Sequence, residues 1–342
     1  MKYPKIYLAI DNCFASKRWT EPIEWMNVIK DLGIYYVEAS ADCECDPLYL
    51  GMDYMRDWAD NVRKATEVTG VRVANLYSGH GTYSTLGLAH TDERVRRRFL
   101  DQWLKPMVDT AVSVNAGLGF FCHAFPESVL SDPDKYYKSS DLLTDSLAKL
   151  ALYAADNNCS SIGVEQMYSP HQIPWTVRGA EKLISNVYGK DGNALYITID
   201  TGHQSGQRNF LRTPDNSDKP DYMYAELCDS DTYHWLSELG CYSPIIHLQQ
   251  TDGHRSSHLP FTDENNEIGI IEPEKILKAV MASYQREQRH GMPERCGEIY
   301  LTLELFTPTG AIPSEYLEKI RKSVEYWRKF IPEDGVCLDN LI

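Results

Sequence analysis

Residues 161–200 read SIGVEQMYSPHQIPWTVRGAEKLISNVYGKDGNALYITID, and this stretch holds one strand–helix–strand pattern. Short apolar runs at 161–166 and 195–200 have the continuous apolar character of buried parallel strands. A helical pattern from Pro174 to Val187 separates them. Because parallel neighbouring strands need a crossover connection, usually a helix, the stretch predicts one unit of a parallel α/β sheet.

The same alternation runs along the whole chain. Strand candidates start near Ile6, Ile34, Val71, Leu118, Ser161, Leu195, Pro244 and Ile299. Helical patterns cover Thr20 to Leu32, Tyr54 to Thr69, Asp92 to Val114, Ser139 to Asn157, Pro174 to Val187, Thr232 to Leu239, Pro273 to Arg289 and Pro313 to Phe330. Eight strands alternating with eight helices predict an α/β fold, a (β/α)8 barrel that forms a single domain over residues 1–342. An open doubly wound sheet is the alternative, but no G-x-G-x-x-G follows a strand, so a dinucleotide-binding fold is disfavoured.

Composition and charge exclude several classes of protein. The 342 residues are 43% hydrophobic, which indicates a globular protein rather than a disordered one. The formal net charge is -15, from 34 basic and 49 acidic residues, which disfavours nucleic acid as a partner. A basic cluster exists at Arg94 and 96–98, and its spacing predicts a solvated helix face.

Targeting signals and the cysteine pattern predict where in the cell the protein is found. No stretch approaches the roughly 20 apolar residues of a membrane span, and the N-terminus lacks an apolar signal region, so we expect a cytoplasmic protein with no membrane partner. The nine cysteines are expected to be reduced. The Cys43-x-Cys45 pair has no second pair at zinc-finger spacing, which disfavours a structural zinc.

Ionisable residues collect at the ends of the later strands. Glu165 ends strand five, Asp200 ends strand six, His247 lies in strand seven and Glu304 ends strand eight. Each alone has an ordinary explanation, such as a helix cap or a structural hydrogen bond. Together, three carboxylates and one imidazole at one barrel mouth would repel one another without a cation. The mixed oxygen and nitrogen donors predict a divalent metal, and they suit Mn²⁺, Mg²⁺ or Co²⁺, with Zn²⁺ as a further alternative.

Such a site suits proton transfer next to a sugar carbonyl. A divalent ion polarises the carbonyl of an α-hydroxy ketone and stabilises the enediolate that forms when the adjacent carbon loses its proton. Glu165 and Glu304 are the expected proton-transfer pair. His203, just past Asp200, is expected either to hydrogen-bond a substrate oxygen or to support a ligand.

Further candidates lie in the loops that follow strands three, four, six and seven. The two longest irregular stretches are 202–231 and 251–272, and long loops on this side of a barrel often carry function. The candidate substrate contacts outside His203 are His80, His123, His254 and Arg255. Loop arginines that would suit a phosphate or carboxylate are Arg208, Arg212 and Arg255, with loop solvation as the simpler explanation. Aromatic residues that either pack in the core or form a wall under a sugar ring are Trp19, Tyr77 and Trp175.

The motifs GVEQMYSP, IDTGHQ, HLQQTDGH and LTLELF, in this order, resemble the xylose-isomerase-like TIM-barrel superfamily of sugar isomerases and epimerases, which is related to AP endonucleases. The resemblance covers most of the chain. It implies a ketose 3-epimerase-like enzyme that binds one divalent ion, most often Mn²⁺, through Glu165, Asp200, His247 and Glu304. His203 matches a substrate-contacting histidine of that family. The sequence departs from the family at Gly253, where an arginine is usual, and in lacking a counterpart of a second glutamate after Glu165.

The resemblance leaves other reactions open. Sugar-acid decarboxylases and dehydratases of the superfamily keep the same metal, and one sequence does not separate them from an epimerase. An AP-endonuclease-like phosphodiesterase would use three zinc ions, with His80, His123 and the Asp252-Gly253-His254 segment as added ligands. A non-enzymatic sugar-binding barrel is the remaining alternative. The favoured partner is a small sugar or sugar phosphate, and a homo-oligomer stays open.

Overall fold

The computed structural model describes residues 2–40, 43–78, 87–122, 124–214 and 218–342. Its sheet is a closed barrel of eight parallel strands, in which each strand pairs with its sequence neighbours and the eighth pairs with the first. The strands are β1 (Lys5–Asp11), β2 (Tyr36–Ser40), β3 (Arg72–Ser78), β4 (Gly117–Phe120), β5 (Ile162–Glu165), β6 (Tyr196–Asp200), β7 (Ile245–Leu248) and β8 (Glu298–Leu303). This confirms the predicted (β/α)8 barrel and its eight strands.

Helices connect the strands on the outside of the barrel. They are α1 (Pro22–Asp31), α2 (Pro47–Thr69), α3 (Glu93–Phe99), α4 (Lys105–Ser113), α5 (Glu127–Leu130), α6 (Pro133–Asp156), α7 (Val177–Asp191), α8 (Thr232–Leu239), α9 (Asp263–Ile268), α10 (Pro273–Gln285) and α11 (Pro313–Arg328). A π-helical turn at Leu100–Leu104 joins α3 to α4. No helix within the described ranges is both long and apolar enough to cross a membrane.

Two helices begin at other residues than the sequence predicts, because side-chain hydrogen bonds cap their first turns. The helix predicted from Pro174 begins at Val177, because the Thr176 side chain accepts a hydrogen bond from the Gly179 N–H and caps it. It continues to Asp191 and ends before Gly192, which has a φ of 73°. Helix α6 begins six residues before the predicted Ser139, because the Asp132 side chain accepts from two backbone N–H groups of the first turn.

The two long loops after β6 and β7 are partly helical. The first contains short 3₁₀ helices at His203–Ser205, Gln207–Phe210, Asp221–Met223 and Leu227–Ser230. The second contains α9 and an isolated antiparallel bridge between Gln250 and Leu259. The bridge turns the chain back over the end of β7, so part of this loop lies at the barrel mouth.

The opposite end of the barrel is closed by aromatic rings and the C-terminus. Tyr7 stacks on Tyr300 and meets Tyr36 edge-on, with 4.8 Å between ring centroids in each pair. A short strand β9 (Val336–Cys337) adds to β1 in the antiparallel direction. Packing at this N-terminal face leaves the C-terminal ends of the strands as the open face, where barrel enzymes place their sites.

Candidate functional site

Four ionisable side chains are buried together at the C-terminal ends of β5 to β8. Glu165 and Asp200 are the last residues of their strands, His247 is the third residue of β7, and Glu304 directly follows β8. Their exposed fractions are 2%, 0%, 0% and 7%. One ligand atom from each residue lies within 4.8 Å of those of the other three, so the group could hold a metal ion.

His247 is at the centre of this cluster. Its Nδ1 lies 3.0 Å from Glu165 Oε1 and 3.4 Å from Glu304 Oε2. Its Nε2 lies 2.7 Å from Glu38 Oε2, a residue of β2 on another side of the barrel. Burial would lower the pKa of His247, but the carboxylates around it, Glu38 foremost, outweigh burial and raise the pKa well above its usual value.

The carboxylate of Glu304 shows why the cluster fits a cation. Burial is the main cause that raises its pKa well above the usual range, and the negative charges of Asp200 and Glu165 add to it. Its Oε2 is buried and accepts no hydrogen bond among the described residues. A buried carboxylate oxygen without a donor is costly, and a cation bound here would compensate both the missing donor and the repulsion.

The pKa of Glu165 shifts in the opposite direction to that of Glu304. Burial would raise its pKa, but His203 and His247 outweigh burial and hold the pKa below its usual value. The Tyr77 hydroxyl donates a short hydrogen bond to Glu165 Oε2. The ring of Tyr77 also meets the His247 ring edge-on, with 5.3 Å between centroids. Tyr77 therefore supports the cluster with its hydroxyl, which is neither of the roles considered from sequence.

Asp200 is fixed by several donors. The Gln249 side-chain amide donates to both carboxylate oxygens, at 2.8 and 3.0 Å. The backbone N–H groups of Gly202 and His203 donate to Oδ1, at 2.7 and 3.1 Å. These donors leave the orientation of the carboxylate little freedom, which suits a metal ligand.

His203 lies beside the cluster, and one of its two ring nitrogens forms a hydrogen bond to the backbone. Its Nδ1 donates to the Gln166 carbonyl oxygen at 2.7 Å, so in the neutral ring Nε2 is the free acceptor. Its Nε2 is 3.8 Å from Asp200 Oδ1. The Tyr168 ring packs against it at 4.0 Å between centroids. The side chain is placed to contact a molecule bound beside Asp200.

Buried polar residues of β1, β2 and β3 lie in the barrel interior beside His247. Glu38 accepts from Asn75 Nδ2 at 2.6 Å as well as from His247. Asp11, at the end of β1, is the register partner of Glu38 and is also buried. Burial and the charge of Glu38 raise the pKa of Asp11 to about 7. The barrel interior beneath the cluster is therefore acidic.

Comparison with known proteins gives the family. Residues 26–284 match the family model described as xylose isomerase-like TIM barrel. The chain belongs to this family. A curated relative, D-erythrulose 1-phosphate 3-epimerase of Brucella abortus (strain 2308), is 26% identical over 271 residues, which are 78% of each chain.

Solved structures agree with the xylose isomerase-like fold. A proposed xylose isomerase from Rhodospirillum rubrum superposes with a TM-score of 0.77 at 20% identity, covering 95% of this chain and 99% of that one. D-allulose 3-epimerase from Methylomonas sp. superposes with a TM-score of 0.62 at 14% identity, covering 97% and 99%. At these identities the superpositions establish the fold alone.

Of the other residues singled out from sequence, those that the structure describes lie apart from the cluster. His80 and His123 fall outside the described residues. His254 and Arg255 are exposed, and within the described ranges neither side chain forms a hydrogen bond or ion pair with the cluster. Arg208 and Arg212 are also exposed, and Arg212 pairs with Asp221 and stacks over Tyr224. Trp175 is buried against Phe210, in keeping with core packing.

Several residues of the site were not identified from sequence. The main ones are Glu38, Asn75, Gln249 and His258. Glu38 could have been found from sequence, because it is a single charged residue within the otherwise uncharged, buried strand Tyr36–Ser40. His258 lies in the loop segment DGHRSSHLPF, where His254 was the favoured residue.

Proposed function

We propose that this protein is a divalent-metal-dependent epimerase or isomerase of a small ketose or ketose phosphate. The observation that carries the proposal is the buried cluster of Glu165, Asp200, His247 and Glu304 at the open end of the barrel. The similarity to a ketose-phosphate 3-epimerase over 78% of both chains supports the same reaction class. The substrate is then a small sugar or sugar phosphate, and the cytoplasmic location stays a prediction from sequence.

The four residues of the cluster would hold the cation. Three oxygen donors and one nitrogen donor favour Mn²⁺, with Mg²⁺, Co²⁺ and Zn²⁺ as alternatives. When bound, the cation supplies positive charge that polarises the sugar carbonyl and offsets the charge left on oxygen after proton removal.

Glu165 and Glu304 are the proposed proton-transfer pair. Both carboxylates approach His247 Nδ1, at 3.0 and 3.4 Å, so they border one small volume. One removes the proton from the carbon next to the carbonyl, which gives an enediolate, and the other returns a proton. Return to the opposite face inverts that carbon. His203 Nε2 lies 3.8 Å from Asp200 Oδ1 and would accept a hydrogen bond from a hydroxyl of a substrate bound beside Asp200.

The test is proton exchange with solvent. Metal-loaded protein is incubated in deuterated water with D-erythrulose 1-phosphate, D-allulose or L-ribulose, and the sugars are followed by NMR. We expect deuterium at the epimerised carbon of at least one ketose, and loss of exchange after chelation of the metal. Glu165→Gln and Glu304→Gln should each abolish exchange, while Glu315→Gln, an exposed glutamate of α11, should not. Exchange at the wild-type rate in both site variants would overturn the mechanism.

A further inference from the structure

His258 occupies an unusual backbone position at the barrel mouth. Its φ is 45°, in the left-handed region that residues other than glycine rarely adopt. Its N–H donates to Gln249 Oε1 at 2.7 Å, and the neighbouring Leu259 exchanges two backbone hydrogen bonds with Gln250. Strained positions of this kind persist only where the surrounding structure holds them, and they occur often at functional sites.

Two neighbours, Phe306 and Ser256, hold the side chain of His258. Its ring stacks on Phe306, with 3.9 Å between centroids and an interplanar angle of 6°. Its Nε2 lies 3.1 Å from Ser256 Oγ. The same Ser256 Oγ accepts from the Gln249 side-chain amide at 2.8 Å, so Ser256 links the imidazole to Gln249. The network engages Nε2 and does not include Nδ1.

The other ring nitrogen, Nδ1, makes no side-chain hydrogen bond among the described residues and faces the reaction site. His258 Nδ1 is buried, and it lies 3.5 Å from Glu304 Oε2. The side chain is 12% exposed, slightly more than that of Glu304 at 9%, which places it at the outer edge of the cluster. A sugar that exchanges a proton with Glu304 therefore brings its hydroxyl groups within reach of this nitrogen.

We propose that His258 contacts the substrate and helps to select it, with Nδ1 forming a hydrogen bond to a ketose hydroxyl close to the carbon that exchanges its proton. This inference rests on the proposed function, because it takes a ketose as the molecule bound beside Glu304. The pair of stacked rings, His258 and Phe306, then forms one wall of the sugar site. Gln249 links this wall to the cluster, since it holds both Asp200 and the His258 backbone.

Two substitutions separate the contact from the backbone strain. His258→Gly removes the imidazole and accepts a positive φ without strain. His258→Asn keeps a polar atom near the position of Nδ1, and asparagine also tolerates the left-handed region. His290→Ala, which changes an exposed histidine beyond α10, is the matched control.

The measurements are Mn²⁺ affinity by calorimetry, ketose affinity by calorimetry, and kcat and KM for the three ketoses named above. We expect His258→Gly to bind Mn²⁺ as the wild type does and to raise KM by about five- to ten-fold, as one lost hydrogen bond would, with a smaller change in kcat. His258→Asn should recover most of this loss for at least one ketose. His290→Ala should match the wild type.

Three results would overturn the inference, and each differs from a failure of the proposed function. An unchanged KM and ketose affinity in His258→Gly would show that the side chain does not touch substrate. A Mn²⁺ affinity more than about ten-fold weaker would assign the side chain to the cation instead. A loss that His258→Asn does not reduce would assign it to the loop backbone. If the wild type binds a ketose without converting it, the epimerase function fails, and the ketose affinities of the variants still decide the role of His258.

Discussion

The hydrogen bond between Glu38 and His247 gives the sharpest prediction about the cluster. It joins Nε2 to a carboxylate oxygen at 2.7 Å, and both side chains are at most 1% exposed. A carboxylate only accepts, so it keeps the proton on Nε2 and leaves Nδ1 to face Glu165 and Glu304. We predict that Glu38→Ala weakens Mn²⁺ binding, because the imidazole loses both its orientation and its preferred tautomer.

The expected loss of Mn²⁺ affinity in Glu38→Ala can be calculated because the Glu38–His247 hydrogen bond is buried and involves a charged group. A hydrogen bond to a charged group contributes roughly 1.5–3 kcal/mol, which corresponds to about 10- to 150-fold in a dissociation constant. Loss of the outer partner of a metal-binding histidine typically weakens affinity by about 10- to 100-fold. We therefore expect the Kd of Glu38→Ala for Mn²⁺ to rise by roughly 30-fold.

Glu38→Gln separates the hydrogen bond from the charge. Both substitutions remove one negative charge, but glutamine keeps an oxygen that accepts from Nε2–H, so its loss of affinity should be about three- to ten-fold. The assay is calorimetric titration of chelator-treated protein with Mn²⁺, alongside urea unfolding to show that each variant is folded. Glu315→Gln is the control. Folded Glu38→Ala that binds Mn²⁺ within two-fold of the wild type would refute the role given to this bond.

Three further predictions concern other supports of the site. Asp11 has a pKa of about 7 in the folded chain, against roughly 3.9 unfolded, so metal-free protein should lose stability as pH rises between these values. Asp11→Asn should therefore raise the urea midpoint of metal-free protein more at pH 8 than at pH 5. An equal change in the urea midpoint at the two pH values would contradict the raised pKa of Asp11. A Cβ on Gly202 would lie 2.5 Å from Gln249 Cδ, so Gly202→Ala should weaken Mn²⁺ binding by roughly ten-fold, whereas Gly189→Ala, with open space around it, should have no effect. His203→Ala should keep its Mn²⁺ affinity and raise KM for a ketose, and loss of the metal instead would make His203 a ligand.

The barrel and the four cluster residues could be predicted because both depend on local patterns. Each buried parallel strand is a continuous apolar run, and closure of the barrel brings successive strand ends to one mouth. Glu165, Asp200 and Glu304 stand at the points where those runs stop. Their meeting therefore follows from strand order alone, before any side-chain geometry is known.

The supporting residues depend on contacts that sequence order does not show. Glu38 reaches His247 across the barrel interior, from a strand 209 residues away in the chain. His258 reaches Glu304 because a backbone bridge at Gln250 turns the loop back over the mouth. Nothing in the letters SSHLPF predicts that turn, and the histidine predicted from sequence is His254, four residues earlier, which is exposed.

In the proposed function, one cation held by the strand-end cluster is required for ketose epimerisation. The most direct test titrates chelator-treated protein with Mn²⁺ while deuterium exchange into a responsive ketose is measured at each step. We expect exchange to rise from zero and to reach its plateau at one equivalent of Mn²⁺ per chain. Exchange without added cation, or a plateau reached only at two or three equivalents, would contradict it.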